Sequence, residues 1–446
     1  MILYIPLEVP VRELPGFLLL ASVAVANGHQ VLIASPNDLW LYKRLGLLKK
    51  GCYILKNMNV PSHSNEVYEV FLKAGFDLYC QEQEPGILWD QFEYFLKSRG
   101  ITKNQALPFK GVFCWGERDT VAYKDFFKSR SEVFFNTGSP RSDLWHSKFS
   151  AIHTRTHIDA LKPYILIVSN FGWLMGKKHL SKLMLTLRGL ELLDSYQDEE
   201  ILINRIEEDC TIAFNMIQGI KYIANKFPET RILIRPHPCE DEEYWRSIFV
   251  QNVNVEITEN TESITPWIVG ASAVIQNGCT SALEAVLQSV PVISFGPGRK
   301  IGHLNVPNLL GIRARNTKEL EVAIEQIMNG NYGAIVQAES EDILKSLTST
   351  QPGDAAFRIV RILEQTSKFN DDIKITGADL FKLRLVRTLK NLIDQPRKRF
   401  FTSGLEAPGY TLNQHDITND INMMSEILGL PHPRLSSISK TGFLIE

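Results

Sequence analysis

The residues best suited to bind an anion come directly after a short apolar run. Residues 231–234 read Arg-Ile-Leu-Ile, typical of a buried strand, and Arg235, Pro236, His237 and Pro238 follow them. A guanidinium and an imidazole together suit a phosphate or a carboxylate, and two prolines stiffen the turn that carries them. We therefore predict ligand contacts from Arg235, His237 and Pro238. The alternative is a rigid surface turn with a structural histidine.

A second candidate follows the apolar run at residues 273–276. The chain continues with Asn277 and then with Thr280 and Ser281, where the next helix should begin. The start of a helix offers unpaired N–H donors and partial positive charge, which suit a nucleotide phosphate. The two hydroxyl groups either bind that phosphate or only cap the helix. Glu284, in the first turn, either caps the helix or contacts a ribose.

Two more loops are expected on the same rim. Asn170 and Gly172 follow the apolar run at residues 164–169, and the glycine would allow close backbone approach. Gly296-Pro-Gly298 follows the run at residues 290–295. Because ligands of open α/β sheets bind at the carboxyl ends of the strands, we predict that this half of the chain holds the activated donor.

Carboxylates suited to catalysis stand in the first part of the chain, again after apolar runs. Glu82 and Glu84 alternate, so only one should point towards an acceptor hydroxyl as its general acid or base. Arg141 should keep Asp143 ionised, as a nucleophile must be. Solvated loop carboxylates and a structural ion pair explain the same residues equally well. Three further candidates follow the first apolar run: Glu8, Arg12 and Glu13.

Short apolar runs alternate with helical segments along the chain, which predicts an α/β protein. The predicted helices include residues 90–97, 177–195, 199–226, 281–288 and 318–329. Eleven runs are typical of strands: residues 2–7, 30–35, 51–55, 76–80, 111–115, 132–136, 164–169, 231–234, 253–257, 273–276 and 290–295. The pattern predicts two doubly wound, Rossmann-like domains facing a cleft, over residues 1–160 and 161–340. Residues 341–446 are predicted to form a helical extension that packs back on the first domain.

Composition and the absence of known motifs argue against several other classes of protein. The 446 residues carry a net charge of −2 with no long basic block, which argues against a general nucleic-acid binder. The sequence has no P-loop, GxSxG, HExxH or GxGxxG motif and no convincing DxD motif, so we expect neither a bound metal nor a dinucleotide cofactor. Six widely spaced cysteines are expected to be buried, reduced thiols.

Targeting signals are not identified either. Glu8, Arg12 and Glu13 interrupt the apolar start of the chain, so it is not interpreted as an export signal. No run approaches the roughly 18 apolar residues that cross a bilayer, and no basic amphipathic helix stands out. We expect a cytoplasmic protein with at most peripheral contact at the inner membrane.

Several of these elements together resemble bacterial surface-carbohydrate biosynthesis proteins. The resemblance is carried by Ile5-Pro-Leu-Glu8 with Arg12-Glu13-Leu14, Thr137-Gly-Ser-Pro-Arg-Ser-Asp143, the Arg-Pro-His-Pro turn, and Asn277-Gly-Cys-Thr-Ser with Glu284. That group is similar to the retaining β-Kdo transferases of capsule and O-antigen assembly and, more distantly, to bacterial sialyltransferases that use CMP-sugars. The resemblance covers roughly residues 1–310.

The resemblance implies a GT-B fold and a CMP-activated 3-deoxy-ulosonic acid donor on the second domain. His237, Thr280 and Ser281 match the elements that hold CMP in that family. Asp143 matches the aspartate that closes an Asn-Pro-Arg-x-x-Asp-like loop, although Ser139 replaces the usual asparagine.

The acid/base is less well matched. In the family that this sequence resembles, an acidic-acidic-glycine motif stands where this chain has Glu84-Pro85-Gly86. Pro85 replaces the second acidic residue of that motif, so the choice between Glu82 and Glu84 as acid/base stays open.

We therefore expect a metal-independent glycosyltransferase of surface-polysaccharide biosynthesis. Asp143 would trap the sugar covalently, Glu84 would be the acid/base and His237 would support the leaving group. The CMP-sugar is a co-substrate, and the acceptor is a glycan or a lipid-linked glycan. Alternatives are a CDP-polyol or UDP-sugar transferase, a sugar-nucleotide epimerase, and a non-catalytic subunit of a polysaccharide assembly complex.

Overall fold

The chain forms two compact units in a computed structural model. Unit 1 comprises Met1–Pro85, Lys103–Leu144 and Gln351–Glu446, and unit 2 comprises Gly86–Thr102 and Trp145–Thr350. The structure describes residues 1–56, 65–83, 107–153, 163–172, 174–176, 196–259, 263–296, 306–348, 353–369, 373–394, 413–439 and 442–446, with single residues 58, 92, 96, 101 and 188. None of the helices in these ranges is long and apolar enough to span a bilayer.

Unit 1 is built on a mixed sheet of mostly buried strands. Its strands are β1 (Ile2–Pro6), β2 (Gln30–Ala34), β3 (Cys52–Leu55), β4 (Asp77–Gln81), β5 (Gly111–Cys114), β6 (Phe134–Asn136), β13 (Leu435–Ser439) and β14 (Gly442–Ile445). Within the described ranges their order is β13-β14-β2-β1-β3-β4-β5-β6. β1 to β6 pair in parallel, whereas β14 is antiparallel to both β2 and β13. The carboxyl ends of β1 to β6 therefore share one edge.

The helices of unit 1 come from both ends of the chain. They are α1 (Pro10–Ala26), α2 (Pro36–Arg44), α3 (Asn65–Lys73), α4 (Glu117–Phe126), α5 (Pro140–Asp143), α13 (Asp354–Thr366), α14 (Gly377–Asp394) and α15 (Gln414–Leu428). Helix α1 packs against α5, α13 and α15. Gly16 makes the α5 contact possible, because a Cβ there would lie 3.0 Å from the backbone nitrogen of Arg141.

Unit 2 is built on a parallel sheet. Its strands are β7 (Tyr164–Val168), β8 (Arg231–Arg235), β9 (Val255–Ile257), β10 (Ala273–Gln276), β11 (Val292–Phe295) and β12 (Ile312–Ala314), in the order β12-β11-β10-β7-β8-β9 within the described ranges. Its helices are α6 (Ser150–His153), α7 (Tyr196–Lys226), α8 (Glu242–Ile248), α9 (Thr265–Val269), α10 (Ser281–Leu287), α11 (Thr317–Met328) and α12 (Ala334–Leu347). Ile212, Met216 and Ile220 recur every four residues along α7 and face the core.

The predicted fold class is confirmed. All eleven predicted strands are present, with ends within two residues of those expected, and helices at residues 199–226, 281–288 and 318–329 correspond to α7, α10 and α11. Helices predicted at residues 90–97 and 177–195 fall almost entirely outside the described residues.

The C-terminal extension differs from the prediction. Helices α13 to α15 belong to unit 1, whereas residues 341–350 of the predicted extension belong to unit 2. The extension is not only helical, because β13 and β14 extend the sheet beside β2. Neither strand was predicted, because β13 reads Leu-Ser-Ser-Ile-Ser and β14 has only four residues. Strand β12 was also not predicted.

Candidate functional site

Unit 2 has a topological switch point at β7. From β7 the chain proceeds to β8 and β9 on one side of that strand and to β10 and β11 on the other. Ligands of doubly wound sheets bind where the strand order reverses, outside the carboxyl ends of the strands. Three predicted loops meet at this edge: residues 169–172 after β7, 236–240 after β8 and 277–281 after β10.

His237 is held against the loop that follows β7. Its backbone N–H donates to Ser169 Oγ at 3.2 Å, and Cys239 N–H donates to His237 Nδ1 at 3.2 Å. Since Nδ1 accepts a hydrogen bond, the neutral ring carries its proton on Nε2. Gly172 fits closely here, because a Cβ on it would lie 3.3 Å from His237 Nδ1 and 3.1 Å from the Cys239 Cβ. The structure thus brings His237 and Gly172 together.

A buried carboxylate that the sequence analysis missed fixes this pair of loops. Glu240 is fully buried, and its Oε1 accepts Phe171 N–H at 2.6 Å. Its Oε2 accepts the Ser169 hydroxyl at 2.5 Å and Trp245 Nε1–H at 2.8 Å. Because the Ser169 oxygen also accepts from His237 N–H, Glu240 positions the histidine backbone through one hydroxyl group. In the sequence, the signal for this role is the presence of an acidic residue two positions after His237-Pro238.

The loop after β10 is joined to the loop after β7. Asn170 Nδ2 donates to the carbonyl oxygen of Gly278 at 3.4 Å. Gly278 has a φ of 71°, and its N–H donates to Asn308 Oδ1 at 2.7 Å. Gln276 Oε1 accepts Cys279 N–H at 3.0 Å and closes the turn. Asn308 and Gln276 therefore shape the loop, and neither was predicted to do so.

Asn277 is the least satisfied polar residue of this loop. It is 2% exposed, and among the described residues neither its Oδ1 nor its Nδ2 has a hydrogen-bond partner. The amide lies beside Gly296, since a Cβ at that glycine would be 3.6 Å from Asn277 Oδ1. A buried polar group without a partner costs about 1–3 kcal/mol. This amide is therefore a group for which the described residues supply no polar partner.

The start of α10 does not show simple capping by a hydroxyl group. Thr280 is the N-cap residue of this seven-residue helix, and its side chain makes no capping hydrogen bond. Ser281 and Glu284 are buried in the first turn. Of the two roles considered for Thr280, capping is thus not the one observed, and a ligand contact stays a prediction.

Arg235 and Pro238 do not join His237 in one anion site. The Arg235 guanidinium is buried, donates from Nη1 to the Glu259 carbonyl at 2.7 Å, and lies 5.9 Å from the centre of the Trp267 ring. Pro238 is exposed beside the histidine. Both stay predicted ligand contacts, but the observed arrangement gives Arg235 a packing role at the end of β8.

In unit 1, the acidic residues after β1 take part in hydrogen bonds at the N terminus of α1. Glu13 is buried, and its Oε2 accepts the backbone N–H groups of Glu8 and Val9 at 2.9 and 3.0 Å. Lys56, which was not predicted, pairs with the Glu8 carboxylate and lies 3.4 Å from Glu13 Oε1. Arg12 is half-buried in the same turn. A negative charge at a helix N terminus is stabilising, so Glu13 has a structural explanation.

The loop after β4 is tied down through its backbone. Trp115 Nε1–H donates to the Glu82 carbonyl at 2.7 Å, and Arg141 Nη1 donates to the Gln83 carbonyl at 3.2 Å. Glu82 itself is buried. Trp115 is itself fully buried, so it packs in the core of unit 1 as well as making this hydrogen bond. Glu84 lies outside the described residues, so its assignment as acid/base stays a prediction.

Asp143 is placed at the N terminus of α13. Its carboxylate is 1% exposed, and its Oδ2 accepts Ala355 N–H at 2.9 Å. Burial raises the pKa of Asp143 well above its ordinary value, and hydrogen bonds from Ala355 and Ala356 oppose that rise. This shift is opposite to the one expected from an ion pair with Arg141, because desolvation is its largest cause. This geometry favours a helix cap over a nucleophile.

Cysteine chemistry is partly as expected. All six cysteines are free, but only Cys52, Cys80 and Cys114 are buried, whereas Cys210 and Cys239 are exposed. Burial raises the pKa of the Cys52 thiol to about 12. Within the described ranges no three His, Cys, Asp or Glu side chains group as metal ligands would.

Comparison with known proteins adds remote structural likenesses. No family model and no curated protein matches the sequence. Similar solved structures include S. aureus MnaA with UDP (10% identity, 82% of this chain, 95% of that chain, TM-score 0.47) and a putative UDP-N-acetylglucosamine 2-epimerase from Listeria monocytogenes (13%, 84%, 99%, 0.48). The wall teichoic acid polymerase TagF is another (12%, 74%, 84%, 0.40). With TM-scores below 0.5, these likenesses decide nothing about the site.

Proposed function

We propose that unit 2 binds the nucleotide of an activated sugar and that the chain is a glycosyltransferase of the GT-B type. The observation that carries this proposal is the meeting of three loops at the switch point of the unit 2 sheet. Residues 169–172 contact His237 on one side and Gly278 on the other. Loops joined in this way at a strand-order reversal form the usual ligand crevice of a doubly wound sheet.

The chemistry of these loops suits a phosphorylated ligand. His237 presents Nε2–H, a donor to phosphate oxygens, while its Nδ1 is occupied by Cys239 N–H. A donor at that position would also stabilise negative charge on a departing nucleotide. The Asn277 amide, with one donor group and one acceptor atom buried and unpaired, suits a polar edge of the same ligand.

The identity of the donor is the finer part of the proposal. The resemblance of the sequence to retaining β-Kdo transferases favours a CMP-activated ulosonic acid, transferred to a glycan acceptor in cytoplasmic assembly of a surface polysaccharide. CDP-polyol and UDP-sugar donors are the alternatives. Nucleotide binding separates uridine donors from cytidine donors. Because CMP leaves in polyol-phosphate transfer from a CDP-polyol and also in transfer from a CMP-sugar, the mass of the transferred group separates those two classes.

Thermal unfolding with CMP, CDP or UDP tests the proposal. A ligand at 100 times its dissociation constant stabilises by about 2.7 kcal/mol. For a domain of this size that corresponds to a rise in Tm of roughly 5–10 °C. We expect one nucleotide to give this shift in the wild type and little or none in His237→Ala. His432→Ala is the matched control, because His432 is half-exposed in unit 1 and pairs with Glu426.

Each result of these binding experiments supports a different candidate function. No shift with any of the three nucleotides would contradict a nucleotide-sugar enzyme and leave the non-catalytic subunit. A shift that His237→Ala retains would place the nucleotide elsewhere. Conversion of the donor sugar into an isomer without any acceptor would identify an epimerase.

A further inference from the structure

Unit 1 carries an exposed apolar stripe that its described residues do not cover. Phe381, Leu385 and Leu389 recur every four residues along α14 and are 66%, 48% and 50% exposed. Residues at this spacing lie on one side of a helix. The opposite side already serves the unit, since Leu383 is buried. The helix is therefore apolar on two sides, and only one of them is used within the fold.

The stripe continues into a groove between α14 and α2. The groove has a volume of about 470 Å³ and is lined by apolar side chains with few polar ones: Asn37, Trp40, Leu41, Leu45, Val386, Leu389 and Lys390. Leu45 is exposed at the end of α2. The Arg44 guanidinium lies 4.6 Å from the centre of the Trp40 ring. Tryptophan beside a cationic side chain is typical of side chains at a membrane–water boundary.

The charge around this apolar surface is positive. Helices α2 and α14 contain six lysines and arginines and three aspartates, Asp38, Asp379 and Asp394, in a chain whose net charge is −2. Asp38 and Asp379 are paired within unit 1. Asp38 is buried with Arg387 at 2.8 Å and Lys390 at 3.3 Å, and Asp379 pairs with Lys49 at 2.7 Å.

We propose that α2 and α14 form a docking surface for an anionic lipid bilayer. A helix with large apolar side chains on one side and lysines and arginines beside them lies in the interface of a membrane and is strengthened by anionic lipid. A nucleic acid would match the charge and leave the three apolar side chains in water. A second copy of the chain would bring its own positive charge against this one. In the sequence no basic amphipathic helix stands out, because α14 is also apolar on its inner side.

Vesicle co-sedimentation tests this surface with the full chain. We expect binding to vesicles of phosphatidylcholine with phosphatidylglycerol, little binding to phosphatidylcholine alone, and weakening as salt increases. Phe381→Asp should reduce partitioning by roughly tenfold or more, since it removes apolar burial and adds a negative charge. Lys382→Glu should reduce it by roughly fivefold or more, because each basic residue near an anionic surface contributes a factor of about five.

The chain offers a close control. Phe214 is 62% exposed on α7 in unit 2, so Phe214→Asp makes the same change on another surface. It should bind vesicles as the wild type does, and thermal unfolding should show that all three variants are folded. Absence of binding to anionic vesicles, or equal loss in Phe381→Asp and Phe214→Asp, would overturn the proposal. So would a dimer in light scattering that Phe381→Asp dissociates, because the surface would then bind a second copy.

Discussion

Replacing Glu240 by glutamine should destabilise the loop that carries Asn170 and Gly172. Three donors converge on the two oxygens of this buried carboxylate: the Ser169 hydroxyl, Phe171 N–H and Trp245 Nε1–H. A glutamine offers one acceptor oxygen, so at least one donor would face an NH₂ group. Hydrogen bonds to charged groups contribute about 1.5–3 kcal/mol, and an unsatisfied buried donor costs about 1–3 kcal/mol. We expect a loss of about 2–4 kcal/mol.

Two measurements test this loss of stability. The Tm of unit 2 should fall by roughly 5–15 °C, and hydrogen exchange at the Phe171 amide should accelerate by at least tenfold. Glu243→Gln is the control, because that side chain is 86% exposed and its ion pair with Arg246 lies on the surface. An unchanged Tm together with unchanged exchange at Phe171 would show that the neutral amide satisfies the same donors. Glu240 would then not position the loop by its charge.

Four other outcomes are expected. His237→Ala should slow donor turnover by about one to three orders of magnitude, and unchanged kinetics would leave only a structural turn. Gly172→Ala should weaken nucleotide binding in calorimetry, because its Cβ would crowd His237 and Cys239. Since burial raises the pKa of Asp143, the folded state holds that proton more tightly than the unfolded state. The resulting stability is complete below the unfolded pKa of about 3.9 and is lost as pH rises through the folded pKa. Asp143→Asn should therefore gain stability relative to the wild type as pH rises, and denaturant titrations showing a constant difference would contradict this. Intact-mass measurement after incubation with donor should show a sugar adduct that Asp143→Ala lacks if Asp143 is the nucleophile, whereas normal turnover by that variant removes it from the mechanism.

The edge of the unit 2 sheet was predictable because local features determine it. A short apolar run defines each strand, and the residues after it must lie at the carboxyl end of a parallel sheet. The contacts at His237 are equally local, since Cys239 and Glu240 follow it within three residues. Pattern and spacing therefore suffice to place this loop, although not to recognise that Glu240 is buried.

The carboxylates of unit 1 were predicted less well because their partners are distant in sequence. Asp143 meets Ala355, 212 residues further along the chain, where the start of α13 supplies the N–H groups. No spacing rule relates these positions, and the adjacent Arg141 suggested an ion pair instead. Lys56 likewise reaches Glu13 across 43 residues. An acid after a strand has the same sequence pattern whether it meets a substrate or a helix N terminus, and only the tertiary fold decides which.

The same reasoning applies to α14, whose exposed apolar residues cannot be told from its buried ones by sequence alone. Exposure, rather than composition, makes Phe381 a candidate for membrane contact and Leu383 a core residue.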